Sequence, residues 1–326
     1  MKLRSSFCRL AVGLLVASAA IVVPETAAYS AAFPAARTKP RDYPIPSLGC
    51  LRPNQLPIGQ TLEQTITSGG NERHYLLHLP EGSRPGRPTP VVMAFHGRKG
   101  NGHDIEAFSG IDALPAIAVY PIGMPGEANE PAWQSAPYAA PVDDVQFVSD
   151  LLDHLQHTLC VNPHRIYATG KSNGGGFTAL LACQLPHRIA AFATVAGAFY
   201  PGTTVGCSTS PPVPYLDFHG TADPTIEYNG GTSHGQPIPA LPDWMAAWAA
   251  HNRCTTTSNT VIGTDVTEFA WQGCADNSPV KHYRIEGAGH TWPGELVDSG
   301  PGSATHTISA TDVMWTFFRK HPLGLT

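Results

Sequence analysis

Along the chain, short apolar runs alternate with amphipathic stretches, and the two periods separate strands from helices. Thr61–Thr67 and His74–Leu79 flank the turn Ser68-Gly69-Gly70-Asn71 and predict an antiparallel hairpin. Val91–Phe95 is apolar throughout, as a strand covered on both faces must be, and it stops at His96-Gly97 before a polar, glycine-rich loop. A short helical stretch around 104–113 and a second buried strand, Ala116–Tyr120, follow. From Asp143 onward Val148, Leu151, Leu152, Leu155 and Leu159 recur at helical spacing, with Asp143 or Asp144 as N-cap. That helix leads to strand Arg165–Thr169, the segment Gly170-Lys171-Ser172-Asn173-Gly174, a helix through Ala182 and strand Ile189–Val195. Strands Pro214–His219 and Val280–Glu286 and helices Leu241–His251 and Ile308–Lys320 complete the set. Strands alternating with helices predict an α/β fold, a mostly parallel central sheet with helices on both faces. No internal repeat or Ser/Thr/Pro-rich linker interrupts it, so one domain over 49–326 is expected.

Composition narrows the setting. Hydrophobic residues make up 42% of the 326 and charged residues 14%, enough for a large core. The net charge of -5, without a Lys/Arg cluster, gives no reason to expect nucleic acid or an anionic membrane as partner. Lys2, Arg4 and Arg9, the apolar stretch Leu10–Val23 and the small residues Ala27, Ala28 and Ser30 predict a signal peptide over 1–29. Cleavage is expected between Ala27 and Ala36, followed by a lead-in over 30–48, which makes the protein secreted and extracellular. Removing Cys8 leaves Cys50, Cys160, Cys183, Cys207, Cys254 and Cys274, an even set that suggests three disulfides. Cys254 with Cys274 is the preferred pair, because two strand-like runs between them suit a hairpin. No CxxC or Cys/His ligand spacing points to a metal.

The chemistry centres on Ser172. A bare G-x-S-x-G match says little, but between a buried strand and a helix it describes a strained turn that lifts a hydroxyl above the sheet. A serine needs an imidazole to take its proton and a carboxylate to orient that imidazole, in the chain order Ser, acid, His. His290 lies in the glycine-rich loop Gly287-Ala288-Gly289-His290-Thr291-Trp292-Pro293 just after a strand. Asp223 follows strand Pro214–His219 where the chain leaves it, whereas Asp217 lies inside that strand. His219 is expected to be packed or hydrogen-bonded. The backbone N–H groups of Asn173 and Arg98 are the expected oxyanion donors. Trp133 and Trp292 are candidate substrate-binding residues; Tyr138, Trp244, Trp248 and Trp271 are assigned to the core.

The segments Val91–Gly97, Val142–Phe147, Ile166–Cys183, Pro212–Gly231 and Glu286–Pro293 resemble secreted feruloyl esterases, especially the fungal type-C group. The likeness spans nearly the whole mature chain. Parts of the same motifs are similar to polyhydroxybutyrate depolymerases and acetyl xylan esterases. Two positions depart from these groups: Arg98 stands where the depolymerases often have Cys, and Asn173 where Gln is common after the nucleophile. The resemblance implies an α/β-hydrolase fold and hydrolysis of feruloyl or related hydroxycinnamoyl esters of plant cell-wall polysaccharides, by a monomer without metal or organic cofactor. The rival of another class is a non-catalytic carbohydrate-binding protein on an esterase scaffold, but no member of the Ser172–Asp223–His290 set is missing.

Overall fold

Two-sided apolar strands dictate the architecture. In the computed structural model the described residues are 46–53 and 56–324; the expected signal peptide and the lead-in up to residue 45 lie outside them. The strands are β1 (Thr61–Ser68), β2 (Asn71–His78), β3 (Thr89–Phe95), β4 (Ile117–Pro121), β5 (Val161–Lys171), β6 (Ala191–Val195), β7 (Tyr215–Gly220), β8 (Gly231–Ser233), β9 (Gln236–Ile238), β10 (Thr256–Ile262), β11 (Val266–Gln272) and β12 (Val280–Ile285). The main sheet runs β1-β2-β4-β3-β5-β6-β7-β12-β11-β10, with β8 and β9 as a separate hairpin. From β4 through β12 neighbouring strands are parallel, and the hairpins at either end are antiparallel. The sheet is therefore mostly parallel where the chemistry is expected and antiparallel at its margins.

The helices are α1 (Gly102–Ser109), α2 (Asp144–Thr158), α3 (Asn173–Gln184), α4 (Leu241–His251) and α5 (Ala310–Phe318). Side chains of a strand alternate between faces, so β3 sends Val91, Met93 and Phe95 into one core and Val92 and Ala94 into the other. The first core is closed by α2, α3 and α4, the second by α1 and α5. The described residues group into one compact unit.

Local differences from the sequence reading have physical causes. The helix expected over 104–113 is cut at Gly110, whose left-handed φ of 65° ends α1 and leaves Ile111–Ala113 as a 3-10 turn. Asp143, not Asp144, caps α2 by accepting from the Gln146 N–H at 2.9 Å. Asp144 is instead buried against Arg73 of β2 at 2.6 Å, and the Arg73 guanidinium lies 3.8 Å from the centre of the Phe147 ring. Strand β5 begins at Val161, four residues before the expected start, because Val161 pairs with Thr89 across a register shift. Disulfides join Cys50 to Cys160, Cys183 to Cys207 and Cys254 to Cys274. The last closes the base of the β10–β11 hairpin, as its spacing suggested.

Candidate active site

In a parallel sheet all strands end at the same edge, and loops leaving that edge converge. Four of them do so here, after β3, β5, β7 and β12.

Ser172 sits between β5 and α3 with φ 56° and ψ −122°, a conformation costly for any residue with a Cβ. Main-chain packing holds it there. A Cβ on Gly170 would fall 2.3 Å from the Gly174 oxygen, and one on Gly174 would fall 2.1 Å from the Phe95 oxygen. Glycine at both positions lets α3 start directly against the ends of β3 and β5. The Ser172 N–H donates to Val195 O at 3.0 Å, and its carbonyl accepts from Gly176 and Ala198.

Asp223 leaves β7 at the same edge. Its Oδ1 accepts from the N–H groups of Thr225 and Ile226, both at 2.8 Å, and its Oδ2 lies 2.7 Å from His290 Nδ1. With Nδ1 donating to the carboxylate, Nε2 of His290 is left as the basic nitrogen. The same Oδ2 is 3.3 Å from Nε2 of His219, which also donates to Ile226 O at 2.8 Å. His219, expected to be packed or hydrogen-bonded, is both, and it is a second imidazole on the same carboxylate, a partner the sequence reading did not name. Burial alone would raise the Asp223 carboxyl, but hydrogen bonds from His219 and His290 outweigh it and hold the group well below the usual carboxylate range. Burial pushes His290 down to about 4, with the Lys171 charge adding to the effect and the Asp223 bond opposing it. At neutral pH the pair is therefore a carboxylate and an uncharged imidazole. Asp217, the alternative acid, is engaged elsewhere: it binds His282 Nδ1 at 2.8 Å and accepts from the Thr194 hydroxyl at 2.6 Å, inside the first core.

The loop after β3 runs beside the serine. A Cβ on Gly97 would lie 3.8 Å from Ser172 Oγ. His96 shapes this loop, with Nδ1 donating to Gly97 O at 2.7 Å and Nε2 accepting the Gly123 N–H at 3.0 Å. Burial lowers its imidazole to about 4, so it is neutral. Arg98 follows, and Asn173 is the first residue of α3; neither backbone N–H has a hydrogen-bond acceptor among the described residues. The Arg98 side chain turns away, pairing with Glu130 at 2.8 Å, contacting His234 at 2.9 Å and lying 4.3 Å from the centre of the Tyr138 ring.

Both tryptophans expected at the substrate pocket belong to the core instead. Trp133 is fully buried, stacked on Phe177 at 5.2 Å and edge-on to Phe95, with its indole N–H donating to His96 O at 3.0 Å. Trp292 packs near Phe108 and donates to Thr311 Oγ1 at 3.2 Å. Neither ring has an open face for a ligand. Tyr138, Trp244 and Trp248 are buried as expected, while Trp271 on β11 is half-buried.

A family model for esterases matches residues 66–272, a span that holds Ser172 and Asp223. The chain belongs to the esterase family. It is a feruloyl-esterase-like carboxylic ester hydrolase. The chain is 30% identical over 229 residues to feruloyl esterase B of Piromyces equi, covering 67% of itself and 42% of that protein. To feruloyl esterase C of Emericella nidulans it is 28% identical over 274 residues, covering 78% of itself and 88% of the relative. Among solved structures it resembles an acetyl xylan esterase from Aspergillus awamori, with a TM-score of 0.53 at 13% identity over 79% of this chain and 99% of that one. This last likeness speaks for the α/β-hydrolase fold.

Proposed function

We propose that the protein is a secreted serine esterase that removes feruloyl or related hydroxycinnamoyl groups from plant cell-wall polysaccharides such as arabinoxylan. The observation that carries this reading is the Asp223–His290 hydrogen bond at the sheet edge where the strained turn presents Ser172. An ester carbonyl is electrophilic but needs an activated alkoxide and a place for the negative charge that develops on its oxygen. In this reading His290 Nε2 takes the Ser172 proton as Oγ attacks the carbonyl carbon, and Asp223 stabilises the imidazolium that forms. The backbone N–H groups of Asn173 and Arg98 hold the oxyanion. Collapse of the tetrahedral intermediate breaks the bond between the acyl carbon and the sugar oxygen, which takes the proton from His290 and leaves as a hydroxyl, with a hydroxycinnamoyl ester left on Ser172. Water, deprotonated by His290, then releases the acid and restores the serine.

The names of the Piromyces and Emericella relatives support the acyl group chosen. Three disulfides support an oxidising destination, and no helix among the described residues is long and apolar enough to cross a membrane.

The test compares kcat/KM on methyl ferulate, methyl caffeate, acetylated xylan and a polyhydroxybutyrate film, for the wild type and Ser172→Ala. The expected result is preference for the hydroxycinnamoyl esters, with hydrolysis lost in the variant. Faster release of acetate or hydroxybutyrate would overturn the acyl assignment, and residual hydrolysis in Ser172→Ala would overturn the serine mechanism.

A further inference from the structure

Lys171 directly precedes the nucleophile, yet none of the steps above uses its amine. On β5 it shares a face with Tyr167 and points into the second core. There its ammonium lies 6.0 Å from the centre of the Phe108 ring, and only 5% of the residue is exposed. Burying a cation is costly, and a neutral side chain would fit an apolar layer better. The ammonium also lies against the main chain of the histidine loop. A Cβ on Gly300 would fall 3.1 Å from Lys171 Nζ and 2.4 Å from the carbonyl oxygen of His290. That loop doubles back on itself: the His290 N–H donates to Pro301 O at 2.8 Å and the Trp292 N–H to Ser299 Oγ at 2.7 Å.

We propose that Lys171 is a positioning residue for ester hydrolysis, whose buried charge seats the His290 loop against β5 and sets the acid limit of turnover by opposing a second positive charge on the neighbouring imidazole. The inference rests on the roles proposed above for Ser172 and His290.

The charged groups around it support the assignment. Asp223 faces Lys171 from the loop after β7, and Glu295 and Asp298 face it from the histidine loop. Burial lowers the Lys171 ammonium to about 8, with these three carboxylates opposing the shift, so it stays charged throughout the acid range. His290 feels burial first, then the pull of Asp223 against the push of Lys171, with His219 also opposing its charge. Only the neutral imidazole can accept the Ser172 proton, so activity falls as pH drops through the His290 value. Removing the Lys171 charge takes away one influence that holds that value down. The acid limb of the rate profile should then move to higher pH.

The experiment measures kcat/KM for methyl ferulate from pH 3 to 8 in the full chain, for the wild type, Lys171→Met, Lys171→Gln and Lys171→Arg, with thermal melts to check folding. The expected result is an acid limb shifted up by about one pH unit in the folded neutral variants, and restored to the wild-type position by arginine. A limb that stays in place in Met or Gln, even with a rate lowered at every pH, would reduce Lys171 to loop packing and overturn the proposal. A wild-type limb at the ordinary imidazole value near 6.5 would overturn it without any variant. Ser172→Ala, assayed alongside, separates the two levels: retained hydrolysis there fails the serine mechanism, whereas lost hydrolysis with an unmoved limb fails only the role of Lys171.

Discussion

Asn173 clasps the main chain of Trp133 with both ends of its amide. Its Oδ1 accepts the Trp133 N–H at 2.7 Å, and its Nδ2 donates to the Trp133 carbonyl at 3.2 Å. The residue after Ser172 thus ties α3 to the loop between β4 and α2. Both atoms of Trp133 are buried, so no water can replace the amide without rearrangement.

Asn173→Ala is expected to lose about 3 kcal/mol of stability, the cost of stranding a buried donor and acceptor. Its backbone N–H remains, so oxyanion stabilisation should suffer only through movement of the loop. Urea denaturation gives the first quantity and kcat the second. A loss under ~0.5 kcal/mol would show that the clasp holds nothing.

Asp223→Asn should leave the fold intact and lower kcat by roughly 10^4-fold, because an amide can present its N–H to Nδ1 and favour the wrong tautomer of His290. The defect should ease as pH rises if hydroxide replaces the imidazole base. A pH-independent loss of less than tenfold would mean that Asp223 does not orient the base.

Much of this geometry was legible in the sequence, and what was not has a common cause. Ser172, Asp223 and His290 each carry a local signal: a glycine-flanked turn, an acid just beyond a strand, a histidine in a glycine-rich loop. The apolar stripe of α2 and the two-sided burial of β3 were equally readable from the hydrophobic pattern. The contacts that went unread join residues far apart in the chain. Arg73 with Asp144, Asn173 with Trp133 and Asp217 with His282 depend on which strands become neighbours, and no local pattern announces that. Trp133 illustrates the opposite error: a tryptophan in a long loop invites a pocket role, but the loop folds inward and packs the ring against Phe95 and Phe177, which also touch each other.

Acid should weaken the fold through two buried histidines. His96 and His290 are both held to about 4, chiefly by burial, while an unfolded chain would titrate them near 6.5. The unfolded state therefore binds protons first as pH falls, and stability drops between pH 6.5 and 4 before levelling. Asp223 acts below that window: its depressed value stabilises the fold above the ordinary carboxylate range, a contribution lost only in stronger acid. Urea midpoints from pH 7 to 4 should fall by an amount worth about 3 kcal/mol per histidine. A flat profile would mean that both imidazoles take up protons as readily in the folded protein as in the unfolded chain.

The disulfides should differ in weight. Cys50–Cys160 closes 110 residues and Cys254–Cys274 closes 20. On loop-closure entropy alone, replacing the first pair by serine should cost about 5 kcal/mol and the second about 3 kcal/mol. Melting of the two double variants under oxidising conditions tests the order. The reverse order would mean that native contacts of the β10–β11 hairpin, rather than chain entropy, dominate.

The elbow around Ser172 consists of backbone touching backbone: Gly170 on Gly174, Gly174 on the ends of β3, Gly175 on Gly197, Gly176 on Ala198. At these contacts main chain meets main chain, so drift in side chains does little to resize them. In the proposed reading, the Ser172 turn depends less on side-chain packing than an ordinary joint does, and a lineage seeking a new ester works mainly through the loops at the sheet edge. Chemistry and substrate choice can then diverge at separate rates within one chain.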